Sequence, residues 1–263
     1  IEWANRGINL WTVEQGQIPM VTGQAIYPLP VDTIDLMDQV VRQNNGTTNQ
    51  IDINITRIAE PTYITIPNKL TQGRPIQVWV NRQSGQENTT ALTLSGNISA
   101  TDTTITLSST VGLTTSGFIK IGSETISYPN ISGNQLLNCA RGQNNTTAAS
   151  HLSGAAITVQ NLPCINVWPT PNAPGNQYTF IYYRMRRIQD AGTGSYMQDI
   201  PFRFIPALVA GLAYHISMKL LDVPPDRIVG LKASYDELFQ QAADEDREKA
   251  PLRFVPRNMN YTR

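Results

Sequence analysis

Apolar and polar positions change period several times along the chain, and each change marks an element. Ile205, Leu208, Val209, Leu212, Ala213, Ile216 and Leu220 recur at i, i+3, i+4, i+7 spacing. That spacing predicts an amphipathic helix with these side chains on its buried face, and an aspartate at Leu212 is then expected to cost the fold. Pro206 fits the first turn, and Val223-Pro224-Pro225 ends the helix, because proline has no N–H to continue it. Asp226 opens a second helix carrying Ile228, Leu231, Tyr235, Leu238, Phe239 and Ala242 on one face and the charge run Asp244 to Lys249 at its end. Residues 1–11 read as the end of a helix stopped by Gly7, a residue suited to a C-cap, with earlier turns expected before Ile1.

Upstream of the helical pair the period is two. Residues 13–30 carry short β-like runs with Pro and Gly punctuation, and Asp32 reads as the cap of a short turn before Leu36. Asp38 to Arg42 and Gln50 to Arg57 flank Asn44-Asn45-Gly46, a hairpin signal. Arg57 to Asn68 reads as a short helix broken by Pro61. Arg74 to Arg82 reads as a strand with Ile76, Val78 and Val80 on one side. Ile165 to Pro169 and Gln177 to Arg187 read as a second hairpin around Pro171 to Gly175.

Between Asn88 and Gln160 the only charged residues are Asp102, Lys120, Glu124 and Arg141. Short alternating runs recur there at Ala91–Leu94, Thr103–Leu107, Phe118–Ile121, Glu124–Tyr128 and Ala156–Val159, separated by turns such as Ser132-Gly133-Asn134. The shift in composition predicts a small all-β module, 88–160, inserted into a host domain of 1–87 and 161–249, with a tail at 250–263. The expected class is α+β: a helical core with β-hairpins and an inserted all-β domain.

Charge narrows the function. Twenty Lys+Arg balance 20 Asp+Glu, so the net charge is zero, against the basic excess of a general nucleic-acid binder. Charged residues make up 15% of the chain and apolar ones 40%, enough to build a core and too apolar for a disordered polyelectrolyte. No apolar run approaches the ~20 residues of a spanning helix, so no membrane partner is expected. Cys139 and Cys164 lie in apolar contexts outside any CxxC pair and read as buried free thiols.

Catalytic chemistry is absent from the pattern. His151 and His215 are the only histidines, and neither has zinc-ligand company. There is no phosphate-binding glycine loop and no nucleophile elbow. Asp244-Glu245-Asp246 sit side by side, so on a helix they diverge rather than converge on a metal. No enzyme, metal or cofactor is expected. Arg184, Arg186 and Arg187 interleave with the aromatics of Phe180 to Tyr183. Two readings stand: a DNA-facing or interface strand, or a strand whose arginines pair with carboxylates such as Asp190.

Several stretches together resemble the head-to-tail adaptor, or connector, proteins of tailed bacteriophages. They are Glu2 to Trp11, Tyr27 to Pro30, Gly73-Arg74-Pro75 with Trp79-Val80, Val167-Trp168-Pro169 with Tyr178 to Tyr183, and above all Asp199 to Tyr214. Thr103 to Thr106, Gly117 to Gly122, Glu124 to Tyr128 and Cys139 to Ala148 resemble a β module of phage virion proteins. The family usually has one or two helices before the Trp-Ala-x-x-Gly segment, expected here ahead of Ile1. The resemblance implies a structural virion protein at the capsid vertex: a homo-oligomeric ring, commonly dodecameric, docked beneath the portal protein. It would contact tail, nozzle or fibre proteins and pass genomic double-stranded DNA through its lumen. It also makes the tail residues Arg253, Phe254, Arg257 and Tyr261 candidates for docking on the portal. The rival reading is host attachment or carbohydrate binding through the β module. With Phe118 and Tyr128 as the module's two aromatics, both in strand-like runs, a contact role is favoured over a sugar platform.

Overall fold

The computed structural model describes Trp3 and residues 10–173, 177–189 and 199–245. The chain forms two compact units, one of Val13–Arg187 and one of Ile1–Thr12 with Ile188–Arg263.

Two sheets share the first core of the larger unit. One runs β1 (Val13–Pro19), β18 (Tyr178–Arg186), β3 (Thr33–Gln43), β4 (Ile51–Asn54); the other runs β2 (Ile26–Pro28), β16 (Cys164–Trp168), β7 (Gln77–Asn81), β5 (Thr56–Ile58). Leu36, Val41, Phe180 and Tyr182 from the first sheet meet Tyr27, Val78, Val80, Ile165 and Val167 from the second. Each side chain of this size removed from water contributes about 1.5–3 kcal/mol. The β3–β4 hairpin forms with Val40 opposite Asn54 and Gln43 opposite Ile51. Asn44 and Gly46 take positive φ in its loop, as the Asn-Asn-Gly signal requires.

The predicted pairing of the 165–169 and 177–187 strands does not occur. β16 lies between β2 and β7, whereas β18 lies between β1 and β3 in the other sheet. Tyr178 to Tyr182 are all buried, so β18 takes a central place with partners on both edges. Its pairing with β1 runs from Val13 opposite Met185 to Pro19 opposite Thr179. Pro61 does not break a helix either. It sits in the first turn of α1 (Glu60–Ile64), where its missing N–H has no partner to lose. Asp32 precedes the long strand β3, and Ile76 falls outside β7, exposed, while Val78 and Val80 are buried.

A second core lies among the strands of residues 87–160. One sheet there runs β14 (Ala140–Gln143), β11 (Glu124–Tyr128), β10 (Gly117–Ile121), β15 (Ala156–Gln160), β8 (Glu87–Thr93). A smaller one runs β12 (Asn130–Ser132), β13 (Gln135–Leu137), β9 (Ile105–Thr106). Ile105, Leu107, Ile119, Ile121, Ile126, Tyr128, Leu136 and Ile157 fill the space between them. Phe118 and Leu162 pack instead with Ala25, Ile26 and Cys164. A short parallel pair, β6 (Gln72–Gly73) and β17 (Thr170–Pro171), completes the unit.

The smaller unit pairs α2 (Ile205–Ser217) with α3 (Pro225–Glu245). Pro206 lies in the first turn of α2 and Asp226 in that of α3. Tyr235, Phe239 and Ala242 of α3 are buried, on the face that the spacing predicts. Phe204 is enclosed by Trp11, Trp3 and Phe239, with the Trp11 ring centre 4.9 Å away. The Trp3 indole donates to the Tyr235 hydroxyl at 2.8 Å.

The buried face of α2 is the reverse of the expected one. Ala207, Gly211 and Ser217 are buried, whereas Val209 is 61% and Leu212 58% exposed. The cause is the close approach of the helices. A Cβ on Gly211 would lie 2.8 Å from the Tyr235 ring, so only small residues fit beneath α3's aromatics, and the large aliphatics of α2 turn outward.

The α+β expectation of a helical core with a small β insertion is therefore overturned. The described residues are mostly β, with five sheets, and their α-helix lies in α1, α2 and α3 and at Trp3. Among the described residues, helices of more than two turns are confined to 205–245. The strands expected to decorate a helical core, β3 and β4 still paired as a hairpin and β16 and β18 in separate sheets, instead build two sheets and enclose a core of their own. The helix end predicted over residues 1–7 falls, Trp3 apart, outside the described residues, as do the charge run beyond Glu245 and the tail.

Candidate functional site

The outer face of α2 is the first candidate. Ile205, Val209, Leu212 and Ile216 stand at i, i+4, i+7 and i+11, all exposed, with Leu220 and Leu221 exposed just beyond. That spacing places the four on one side of a helix. The α2 sequence has no Lys, Arg, Asp or Glu. A row of large aliphatics on a helix without charges of its own, with Arg203 and Lys219 only at its two ends, is costly to leave in water and marks a surface made for contact. The small side chains on the opposite side exist because α3 lies so close. One helix thus supplies both a packed face and an unpartnered one.

The arginine strand is the second candidate. Glu14 on β1 lies opposite Arg184 on β18. Its carboxylate accepts from Arg184 Nη2 at 2.9 Å and from Arg186 Nε at 2.5 Å, and Arg184 Nη1 reaches Asp32 Oδ1 at 2.5 Å. Partial burial disfavours the Arg184 charge, but the Asp32 and Glu14 carboxylates more than reverse this and raise its pKa. The Arg187 backbone N–H donates to the Asp32 carbonyl. The structure thus brings Arg184 and Arg186 together with carboxylates from β1 and the β2–β3 turn. The pairing has the form of the second sequence reading with different partners, since Asp190 lies outside the described residues. The same neutralisation recurs at Arg42–Asp52 (2.7 Å) and at Arg57 and Arg82 around Asp35.

Sequence reasoning missed a third constellation. Glu124, at the start of β11, is fully buried, yet its two oxygens have five donors. Arg141 gives Nε and Nη2 (both 2.8 Å), His151 gives Nε2 (2.8 Å), and the backbones of Gly142 and Ala149 give N–H groups (3.0 and 3.1 Å). Arg141 also donates to the carbonyls of Ser99 and Ala149. One carboxylate thereby ties β11, β14 and the 141–151 loop to the 99–102 turn. Burial alone would raise the Glu124 pKa. Arg141, His151 and the two amides outweigh it and bring it down to about 2. A carboxylate with a depressed pKa stabilises the fold fully above its ordinary value of 4.5. That contribution, about 3 kcal/mol for such a shift, is lost as pH falls toward 2. Acid titration of the thermal midpoint is expected to fall steeply across that window, and the Glu124→Gln variant is expected to lose that part of the slope.

The remaining predicted residues are quickly placed. Phe118 and Tyr128 are both buried, so neither offers a ring to a sugar. Cys139 and Cys164 are free and buried, and burial pushes both thiols up to about 12. His215 lies beside Tyr214, ring centres 5.2 Å apart. Arg253, Phe254, Arg257 and Tyr261 lie outside the described residues. Among the described residues no group of His, Cys, Asp and Glu could hold a metal ion, and no helix is long and apolar enough to cross a membrane.

The model of the family described as SU10 adaptor protein matches residues 68–257. No curated protein and no solved structure matches the chain.

Proposed function

Because the chain belongs to the SU10 adaptor protein family, a family of phage structural adaptors, we propose that it is one wedge of a ring beneath the portal. The ring joins capsid to tail and lines the passage for genomic DNA. The observation that carries this reading is the unpartnered aliphatic face of α2. A closed ring needs each copy to present two different surfaces to its two neighbours. The row from Ile205 to Ile216 is one such surface: apolar, uncharged and held on a helix stiffened by its contact with α3.

Electrostatics support the conduit. DNA affinity grows with every phosphate that a protein neutralises, so a channel that must release its cargo cannot present a dense field of available cations. Here the net charge is zero, and Arg184 and Arg186 are already held by Glu14 and Asp32. On this reading the β18 arginines order the end of the sheet and do not grip DNA.

The test is assembly. The purified full chain, alone and mixed with portal rings, is expected to give closed rings by negative-stain microscopy and a single ring mass by native mass spectrometry. A chain that stays monomeric under both conditions overturns the proposal.

A further inference from the structure

The second sheet has one face in the core and another that lines a cleft. Val78, Val80, Ile165 and Val167 point to the core. The alternating positions, Trp79 and Asn81 on β7 and Cys164 and Asn166 on β16, point the other way. Asn166 lies directly opposite Trp79, and Cys164 opposite Asn81. Together with Tyr63 of α1 and Gln160 of β15 they line a cleft of about 660 Å³. That volume is in the range of small-molecule sites.

One buried amide in this lining lacks a partner that burial demands, and a second has only a weak one. The Asn166 side chain is 3% exposed, and among the described residues its amide has one contact, the Cys164 sulfur at 3.9 Å. Gln160 gives its Nε2 to Glu87 at 2.8 Å, but its buried Oε1 has no partner. The unmet Gln160 oxygen costs about 1–3 kcal/mol, a cost that a ligand with a donor of its own would remove.

The chemistry of the walls selects the ligand. The only charges in the lining are Glu60 and Lys69, one of each sign, and the Lys69 ammonium already donates to the carbonyls of Ile64 and Ile66. Phosphates and strongly charged peptides have nothing to meet. Trp79 is half-buried and stacks on Tyr63, ring centres 5.2 Å apart, so its indole is held rigid at the cleft wall. Its neighbours are planar amides. β7 and β16 both have strands on either side, so no unpaired backbone edge is available for an extended peptide to join. A rigid aromatic plane with amides around it suits a molecule with an apolar C–H face and a rim of hydroxyls.

We propose that this cleft binds a neutral saccharide of a few units, with Trp79 as the platform and Asn166, Asn81 and Gln160 as the hydroxyl partners. Phe118 and Gln160 of the 88–160 segment share in the lining, but the site does not depend on ring formation, so either proposal can fail without the other.

The test uses the full chain on an array of neutral hexose and N-acetylhexosamine oligomers, with the strongest binder titrated by saturation-transfer NMR. Binding is expected, with contacts on the sugar's C–H face, weakened at least tenfold by Trp79→Ala and by Asn166→Leu at unchanged thermal midpoint. Asn81→Ala serves if Trp79→Ala does not fold. No binding on the array overturns the proposal. So does binding that survives these substitutions, and so does capture by the cleft of extended peptides in place of sugars.

Discussion

Leu212→Asp is expected to abolish ring assembly and leave the chain folded. The side chain is 58% exposed on the outer face of α2, so a carboxylate there stays in water in the isolated chain and disturbs no packing. In a ring the same carboxylate would lie against the neighbouring copy without a partner. Desolvating it, together with losing a central aliphatic contact, costs about 2–4 kcal/mol at an interface, tenfold in affinity for every 1.4 kcal/mol. Every interface of the ring carries the defect, so the expected readout is monomer by native mass spectrometry with an unchanged thermal midpoint. Ala207→Asp is the contrast: Ala207 is fully buried under α3, and a charge there should unfold the helical pair. If Leu212→Asp itself unfolds the chain, the outer face is not the contact surface.

Glu124→Gln is expected to be the most damaging single-atom change in the larger unit. It leaves the Arg141 guanidinium, 7% exposed, without its buried carboxylate and with only the exposed Asp102 as a charged neighbour, and replaces one acceptor oxygen by an amide nitrogen that cannot accept from the His151, Ala149 and Arg141 donors. Removing one partner of a buried pair costs about 3–5 kcal/mol, which for a unit of this size lowers the thermal midpoint by about 10 °C. Adding Arg141→Met to Glu124→Gln should recover part of the loss, because the orphaned cation goes with it. A drop under about 2 °C for the single variant would show that solvent reaches the cluster and shares its load.

What could be read from the chain divides along a physical line. Period and punctuation depend on neighbours in sequence, and these were legible: the strand runs Phe118–Ile121, Glu124–Tyr128 and Ala156–Val159, the start of α3 at Asp226, within one residue, and its Tyr235–Phe239–Ala242 face. Partner choice depends on topology and was not. Nothing local to Ile165 or Tyr182 says that their strands enter different sheets, so the expected hairpin between them does not exist, whereas the β3–β4 hairpin does. The face of α2 failed for a subtler reason. Ala207, Ala210 and Gly211 form one stripe and Val209, Leu212 and Ile216 another, and both are apolar. Size alone favours burying the larger set. The Tyr235 ring, 24 positions after Gly211, decides otherwise. The Glu124 cluster joins residues 17 and 27 positions apart, invisible until β11 and β14 are known to be neighbours. Glu124 and Arg141 were noticeable as isolated charges in a neutral stretch, and that scarcity was the available signal.

The link between the two units has a mechanical meaning. The chain crosses from the smaller unit at Thr12–Val13 and returns at Arg187–Ile188, and Val13 lies opposite Met185 in the β1–β18 ladder. Both covalent tethers thus leave from the same end of two neighbouring strands. Force entering through either tether therefore passes into one and the same ladder. The rungs shared by β1 and β18, and those between β18 and β3, connect both tethers to the body of the sheet.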